Sequence, residues 1–230
     1  MEIVTSRINT QDPDGREAGL AAAAAAIIAQ HCIVLPTDTV YGIGADAFSP
    51  QAVATLLAAK GRGRTMPPPV LIGSAATMAG LALDVPAGAQ DLADAFWPGA
   101  LTLIVHSQPS LTWDLGETMG TVALRVPDDE LALELLDKTG PLAVSSANRT
   151  GHPAATTAQE AFEQLAESVE VYLEDGVRPV TGEPLSSTIV DYTSEPPRVV
   201  RAGGIGIDAL RSIVPGMLDA DGSAAGEAAS

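Results

Sequence analysis

Lys60, Arg62 and Arg64 stand within five residues of one another in KGRGR, in a chain with only 12 Lys and Arg against 29 Asp and Glu. Arginine forks and a lysine point charge suit phosphate oxygens. Cations after a helix also answer its C-terminal dipole, so these residues alone leave an anion site and a solvated helix end both open. Upstream, PTDTVYG gathers the hydroxyls of Thr37 and Thr39, the Asp38 carboxylate and the Tyr41 phenol into a small polar cup. Arg125 lies inside the apolar run TVALRVP. A guanidinium there must find an anion or bear a heavy desolvation cost, so it is read as a ligand contact. Ser145 to Asn148 of SSAN close another apolar run, either as binding groups or as a strand end turning into a cap. Ser186 to Thr188 and Arg201 complete the candidates.

Other chemistries find little support. GIGADA, Gly42 to Ala47, matches the dinucleotide fingerprint, but PTDT breaks the preceding strand and no acidic residue about twenty positions on ends a second one. A Walker A sequence is absent, KTG at Lys138 to Gly140 has no accompanying S-x-x-K, and there is no G-x-S-x-G elbow. His31, His106 and His152 are scattered without metal-like spacing, and Cys32 is the single cysteine. One cysteine excludes an intrachain disulfide framework and a cysteine-rich zinc site, which fits a reducing cytoplasm.

The elements that must hold these residues can be read in order. Glu2 to Thr5 reads as a short strand, DPDG as a turn and Arg16 to Gln30 as an alanine-rich helix. Cys32 to Leu35 is a strand feeding the cup. Ser49 and Pro50 start a helix that runs to about Lys60, because a capping hydroxyl followed by proline marks a helix N-terminus. GRGRTMPPP cannot stay helical. Strands follow at Val70 to Ile72, Leu101 to Val105, Thr121 to Pro127, Pro141 to Asn148, Val169 to Leu173, Thr188 to Asp191 and Arg198 to Arg201. Helices are expected over Ala75 to Leu81, Ala87 to Phe96, from Asp128 or Asp129 to Lys138, after Thr156 or Thr157, and over Ile207 to Ile213. This alternation predicts a three-layer α/β domain with a mixed sheet, and in such sheets the ligand crevice lies at strand ends.

At 230 residues and 46% hydrophobic, the chain can bury one full core, read as a domain over residues 1–214. Residues 215–230 are read as a flexible acidic Ala/Gly/Ser tail, too poor in large side chains to fold. The apolar run Ala18 to Ala29 is too short to span a bilayer and follows Asp12, Asp14 and Glu17, so no membrane segment or signal is expected. A net charge of -17 disfavours general nucleic-acid binding.

Taken together, PTDTVYGIGADA, KGRGR, FWPGALTLIV, TVALRVPD, PLAVSSAN and SSTIVDY with RVVRAGG resemble, in that order, the YrdC-like family of threonylcarbamoyl-AMP synthases, over about Ala18 to Ile213. The resemblance implies a twisted mixed sheet with helices on both sides and a central cationic cavity. It implies the reaction of L-threonine, bicarbonate and ATP to threonylcarbamoyl-AMP and pyrophosphate, with magnesium arriving on ATP and no fixed protein ligands for it. The product would pass to a separate tRNA threonylcarbamoyl transferase complex in the cytoplasm. By the same resemblance Thr37, Tyr41, Arg125, Val144 and Ser187 serve threonine. Lys60, Arg62, Arg64, Thr121, Ser146, Asn148 and Arg201 serve ATP, with Lys60 and Arg62 catalytic. Two positions depart from the family pattern: Gly63 stands where proline is usual, and Leu71 where some members carry a histidine. Ending at Ser230, the chain resembles the short, single-domain type. Two alternatives remain on the sequence: a carbamoyl-adenylate former of the hydrogenase-maturation kind, and an RNA-binding or ribosome-assembly module of the same fold.

Overall fold

A computed structural model describes residues 5–182 and 186–224. The described strands form one mixed sheet in the order β1-β8-β2-β3-β7-β4-β6-β5-β9-β10. They are β1 Ser6–Asn9, β2 Ile33–Leu35, β3 Gly42–Asp46, β4 Val70–Leu71, β5 Leu101–His106, β6 Thr121–Arg125, β7 Leu142–Ser146, β8 Val171–Glu174, β9 Thr188–Asp191 and β10 Arg198–Arg201. The helices are α1 Pro13–Ile28, α2 Pro50–Ala59, α3 Met78–Leu81, α4 Ala87–Phe96, α5 Glu130–Thr139, α6 Ala158–Leu165 and α7 Ile207–Ile213. The expected strand at Glu2 to Thr5 lies largely outside the described residues, and the first described strand follows it at Ser6.

Side-chain alternation along the strands sorts the core into two layers. Val34, Ile43, Val70, Leu103, Leu124 and Val190 face the layer that α2, α4, α6 and α7 cover. Ile33, Leu35, Leu71, Leu142 and Val144 face the other layer, packed on Leu20 and Ile27 of α1 and Leu131 and Leu135 of α5. That second layer takes no residue from β5, β6, β9 or β10. Helices therefore cover one face of the sheet along its length and only half of the opposite face. The bare half of that face is where the site forms.

Local chemistry explains the helix starts. Asp12, Ser49, Asp129 and Thr157 each accept a hydrogen bond from a backbone N–H of the first turn, meeting donors a helix leaves unpaired. Of GIGADA, which the sequence reading leaves without an element, Gly42–Asp46 form a central strand paired with β2 and β7. Gly42 is required there because a Cβ would come within 2.6 Å of Val144 Cγ1, so it answers close strand packing and not a pyrophosphate. Residues 215–224, read as part of an unfolded tail, instead pack: Met217 is buried, and Leu218 bridges Arg198 of β10. Residues 225–230 lie outside the described part. No described helix is long and apolar enough to cross a membrane.

Candidate active site

Over the bare half-face sits a cavity of about 360 Å³, a size suited to a small-molecule ligand. Its floor is the outward alternation of β5, β6 and β9, from Thr102, Ile104, Thr121, Ala123, Arg125 and Ile189. One wall is the PTDTVYG turn and the start of β3; another is Pro67, Pro68 and Pro69 with Leu71. Leu115 and Thr118 come from the connection after β5, and Ser186, Ser187 and Arg201 close the far side. No Asp or Glu is among the described residues that line it, although the chain is strongly acidic. Three arginines are: Arg62, Arg125 and Arg201.

Their hydrogen bonds differ. Arg125 donates through Nε to the Gly99 carbonyl at 2.9 Å, through Nη1 to Thr39 Oγ1 at 3.1 Å and through Nη2 to Asp38 Oδ1 at 2.6 Å. The anion that its buried strand position demands is thus Asp38, brought in by the PTDT turn. Five guanidinium N–H groups less these three leave one hydrogen on each terminal nitrogen. Arg201 uses Nε and Nη2 on the Ser187 carbonyl, at 3.0 and 2.7 Å, and Nη2 also reaches Ser187 Oγ at 2.9 Å. Ser187 Oγ is bonded in turn to Thr102 Oγ1. Arg62 donates through Nη1 to Ser145 Oγ at 2.9 Å, while its buried Nε has no partner. Burial lowers the affinity of Arg201 for its proton, and Arg125 and Arg62 lower it further. Arg201 thus feels the positive charge of both other arginines.

Lys60 is placed differently from expectation. Its ammonium lies beneath the cavity wall, not in the lining, and donates to the carbonyl of Ser146, the carbonyl of Asn148 at 2.7 Å and Asn148 Oδ1 at 3.4 Å. Burial, then the charge of Arg62, bring it down to about 8. Asn148 is likewise outside the lining, and its amide ties the loop together through the carbonyls of Arg149 and His152. Lys60 and Asn148 therefore hold the SSAN turn, whose Ser145 and Ser146 reach the cavity. Arg64 points to the surface, paired with Asp114 at 2.8 Å. Tyr41 lines the cavity, but its hydroxyl donates to the Gly176 carbonyl at 2.6 Å and accepts from Asp175 N at 3.0 Å. It presents a ring rather than a phenol. Thr37, Thr121, Val144, Ser146 and Ser187 line the cavity.

Sequence reading missed Thr102, Leu115, Thr118 and the three prolines. Thr102 alone left a signal, a hydroxyl inside the apolar run LTLIV. Leu71, where some relatives carry a histidine, adds apolar surface to the wall. Gly203 explains RVVRAGG: a Cβ there would lie 2.2 Å from the Ser186 carbonyl oxygen, so glycine lets this turn press against the serine wall.

A metal has no cage of its own among the described residues, where no three His, Cys, Asp or Glu side chains converge. The wall's donors are hydroxyls and guanidiniums. That set suits the oxygens of an anion such as a phosphate.

The sequence profile of the Sua5/YciO/YrdC family, described as telomere recombination, matches residues 25–203. A Mycobacterium tuberculosis protein provisionally named threonylcarbamoyl-AMP synthase is 49% identical over 92% of this chain and 96% of its own length. The threonylcarbamoyl-AMP synthase of Bacillus subtilis is 34% identical over 92% of this chain and 59% of its own. The solved structure of Pyrococcus abyssi Sua5 complexed with L-threonine superposes with a TM-score of 0.85 at 32% identity, covering 91% of this chain and 61% of that one. The chain thus spans about three-fifths of these two longer relatives. On the profile match and these identities, this protein belongs to the Sua5/YciO/YrdC family.

Proposed function

We propose that this protein is an L-threonylcarbamoyladenylate synthase, which joins L-threonine, bicarbonate and ATP and releases pyrophosphate. The observation that carries the reading is the cavity in which Arg62, Arg125 and Arg201 converge from distant parts of the chain, with no Asp or Glu among its described lining residues. Both reactants of the second step are anions, so charge neutralisation and positioning are the catalysis, with no covalent nucleophile needed. The threonine amine adds to the carbon of bicarbonate with loss of water, or to carbon dioxide with loss of a proton, giving a carbamate. A carbamate oxygen then bonds to the α-phosphorus as the bond to pyrophosphate breaks. Arg125, with Thr37, Ser187 and the apolar walls of Tyr41 and Val144, forms the amino-acid end. Arg62, Arg201, Thr121 and Ser146 form the nucleotide end, and Lys60 with Asn148 holds the SSAN turn that carries Ser145 and Ser146. Magnesium bound to the triphosphate would further offset its negative charge.

The product is a mixed anhydride, suited to passing its threonylcarbamoyl group to a tRNA adenosine on a separate transferase complex in the cytoplasm. Direct RNA binding is a poor fit: of the KGRGR cations, Lys60 is buried, Arg62 faces the cavity and Arg64 is paired with Asp114. The test incubates purified protein with ATP, labelled threonine and bicarbonate. Pyrophosphate release should require both co-substrates; release without bicarbonate would indicate ordinary amino-acid adenylation and overturn the reading.

A further inference from the structure

Behind the cavity, outside its lining, lies a second buried arginine. Arg178 sits on the β8–β9 connection, 6% exposed. Its Nε donates to Asp129 Oδ2 at 2.9 Å, its Nη2 to Asp175 Oδ2 and its Nη1 to the Asp175 carbonyl at 2.5 Å. Burial lowers its proton affinity, but the bonds and charges of Asp129 and Asp175 outweigh that and hold it above the usual arginine value. Its backbone N–H donates to the Thr156 carbonyl at 2.8 Å, ahead of α6.

Each carboxylate leads on to the amino-acid end of the cavity. Asp175 donates its N–H to Tyr41 Oη, and the next carbonyl, of Gly176, accepts from that hydroxyl. This fixes the tyrosine ring that forms the wall. Asp129 caps α5 through Oδ1 on Ala132 N at 3.0 Å, and its neighbour Asp128 donates N–H to Asp38 Oδ1 at 3.1 Å. That oxygen also holds Arg125. One guanidinium thus braces Tyr41 by one route and Arg125 by the other, while the hydrogen bonds of Arg62 and Arg201 run to Ser145 and Ser187.

We propose that Arg178 is a positioning residue for the amino-acid substrate: by tying the β8–β9 connection to the N-terminus of α5 it sets the places of Tyr41 and Arg125 without touching substrate. The inference rests on the functional reading above. A displacement of this kind loosens one substrate and leaves the other, because the nucleotide-end arginines are anchored elsewhere.

The experiment measures KM for threonine and for ATP, together with kcat, in Arg178→Met, Arg178→Lys and wild type. Arg178→Met should raise the threonine KM by about tenfold and leave the ATP KM within about twofold. Arg178→Lys, which keeps the charge but not the fork, should fall between. An unchanged threonine KM, or both constants rising together, overturns the proposal. Should Arg178→Met fail to fold, Tyr41→Phe cuts the same tether with no buried charge left behind. It should raise the threonine KM by about threefold at constant ATP KM, and no rise overturns the proposal. Calorimetry of wild type with threonine and with ATP separates the two failures. If neither binds, the functional reading falls, and hydrogen exchange over residues 36–41 then decides the tether: protection equal to wild type in whichever variant folds overturns it.

Discussion

Four arginines lie around the cavity and behind it, and they are of two kinds. Arg125 and Arg178 are held by carboxylates, Asp38 in one case and Asp129 with Asp175 in the other. Arg62 and Arg201 are held only by neutral oxygens, those of Ser145 and Ser187. A guanidinium that already faces a carboxylate is a clamp whose charge is largely answered. One that is buried among hydroxyls and carbonyls keeps a positive field for something that arrives later. The difference gives the first pair a structural duty, which Arg125 combines with its place at the amino-acid end, and leaves net positive charge for an incoming anion to the second, although composition treats all four alike.

Breaking the second kind should be the most damaging to activity. Arg62→Ala and Arg201→Ala should each lower AMP-product formation by about 10²–10³-fold, the scale of a lost charge-stabilising donor. Thermal melting should show the fold unharmed, since burial already disfavours both cations and the neighbouring arginines further disfavour Arg201. Breaking the first kind should cost stability as well. Arg125→Ala leaves Asp38 without its partner in a site where the pair is 8% and 15% exposed, so urea unfolding should show a loss of about 3 kcal/mol. Adding Asp38→Asn to that variant should recover part of it; no recovery would place the loss elsewhere.

Lys60 sharpens the comparison through pH. Its folded value of about 8 lies below its ordinary 10.5. Between those values the unfolded chain binds more protons than the folded one, so this group's contribution to stability rises with pH across the window. Function should run the other way. As pH climbs through about 8, the ammonium that holds the Ser146 and Asn148 carbonyls is lost, and ATP binding measured by calorimetry should weaken. In Arg62→Gln that weakening should move to higher pH, because the neighbouring charge that depresses Lys60 is gone. Arg64→Ala should matter least, changing turnover by less than about twofold, since its exposed pairing with Asp114 lies off the cavity wall.

Much of this arrangement was legible in the sequence where the signal is local. The strands Thr188–Asp191 and Arg198–Arg201 and the helices Ala87–Phe96 and Ile207–Ile213 fall where apolar periodicity and flanking Gly, Pro and polar residues put them. β3 was hidden because its Gly42 answers a neighbour 102 residues away, Val144. Arg125 announced that it needed an anion, yet nothing local says that Asp38 supplies it across 87 residues. The crowding of Lys60, Arg62 and Arg64 in sequence was read as one grip. A helix end and a turn send them instead to three environments, beneath the wall, into the cavity and out to solvent. Arg178 gave no sign at all, since Asp129 reaches it across 49 residues only through the fold.

The short segment at Met217 and Leu218 has a practical consequence. Val199 N–H donates to the Leu218 carbonyl and Leu218 N–H to the Pro197 carbonyl, so Leu218, anchored beside the buried Met217, occupies backbone groups along the outermost strand, the one that ends at Arg201. A cleavage or a shortened expression boundary near residue 215 would bare those groups as a template for another chain. Such material should tend to associate edge to edge and lose activity by the same event, and fusions are better joined beyond residue 224.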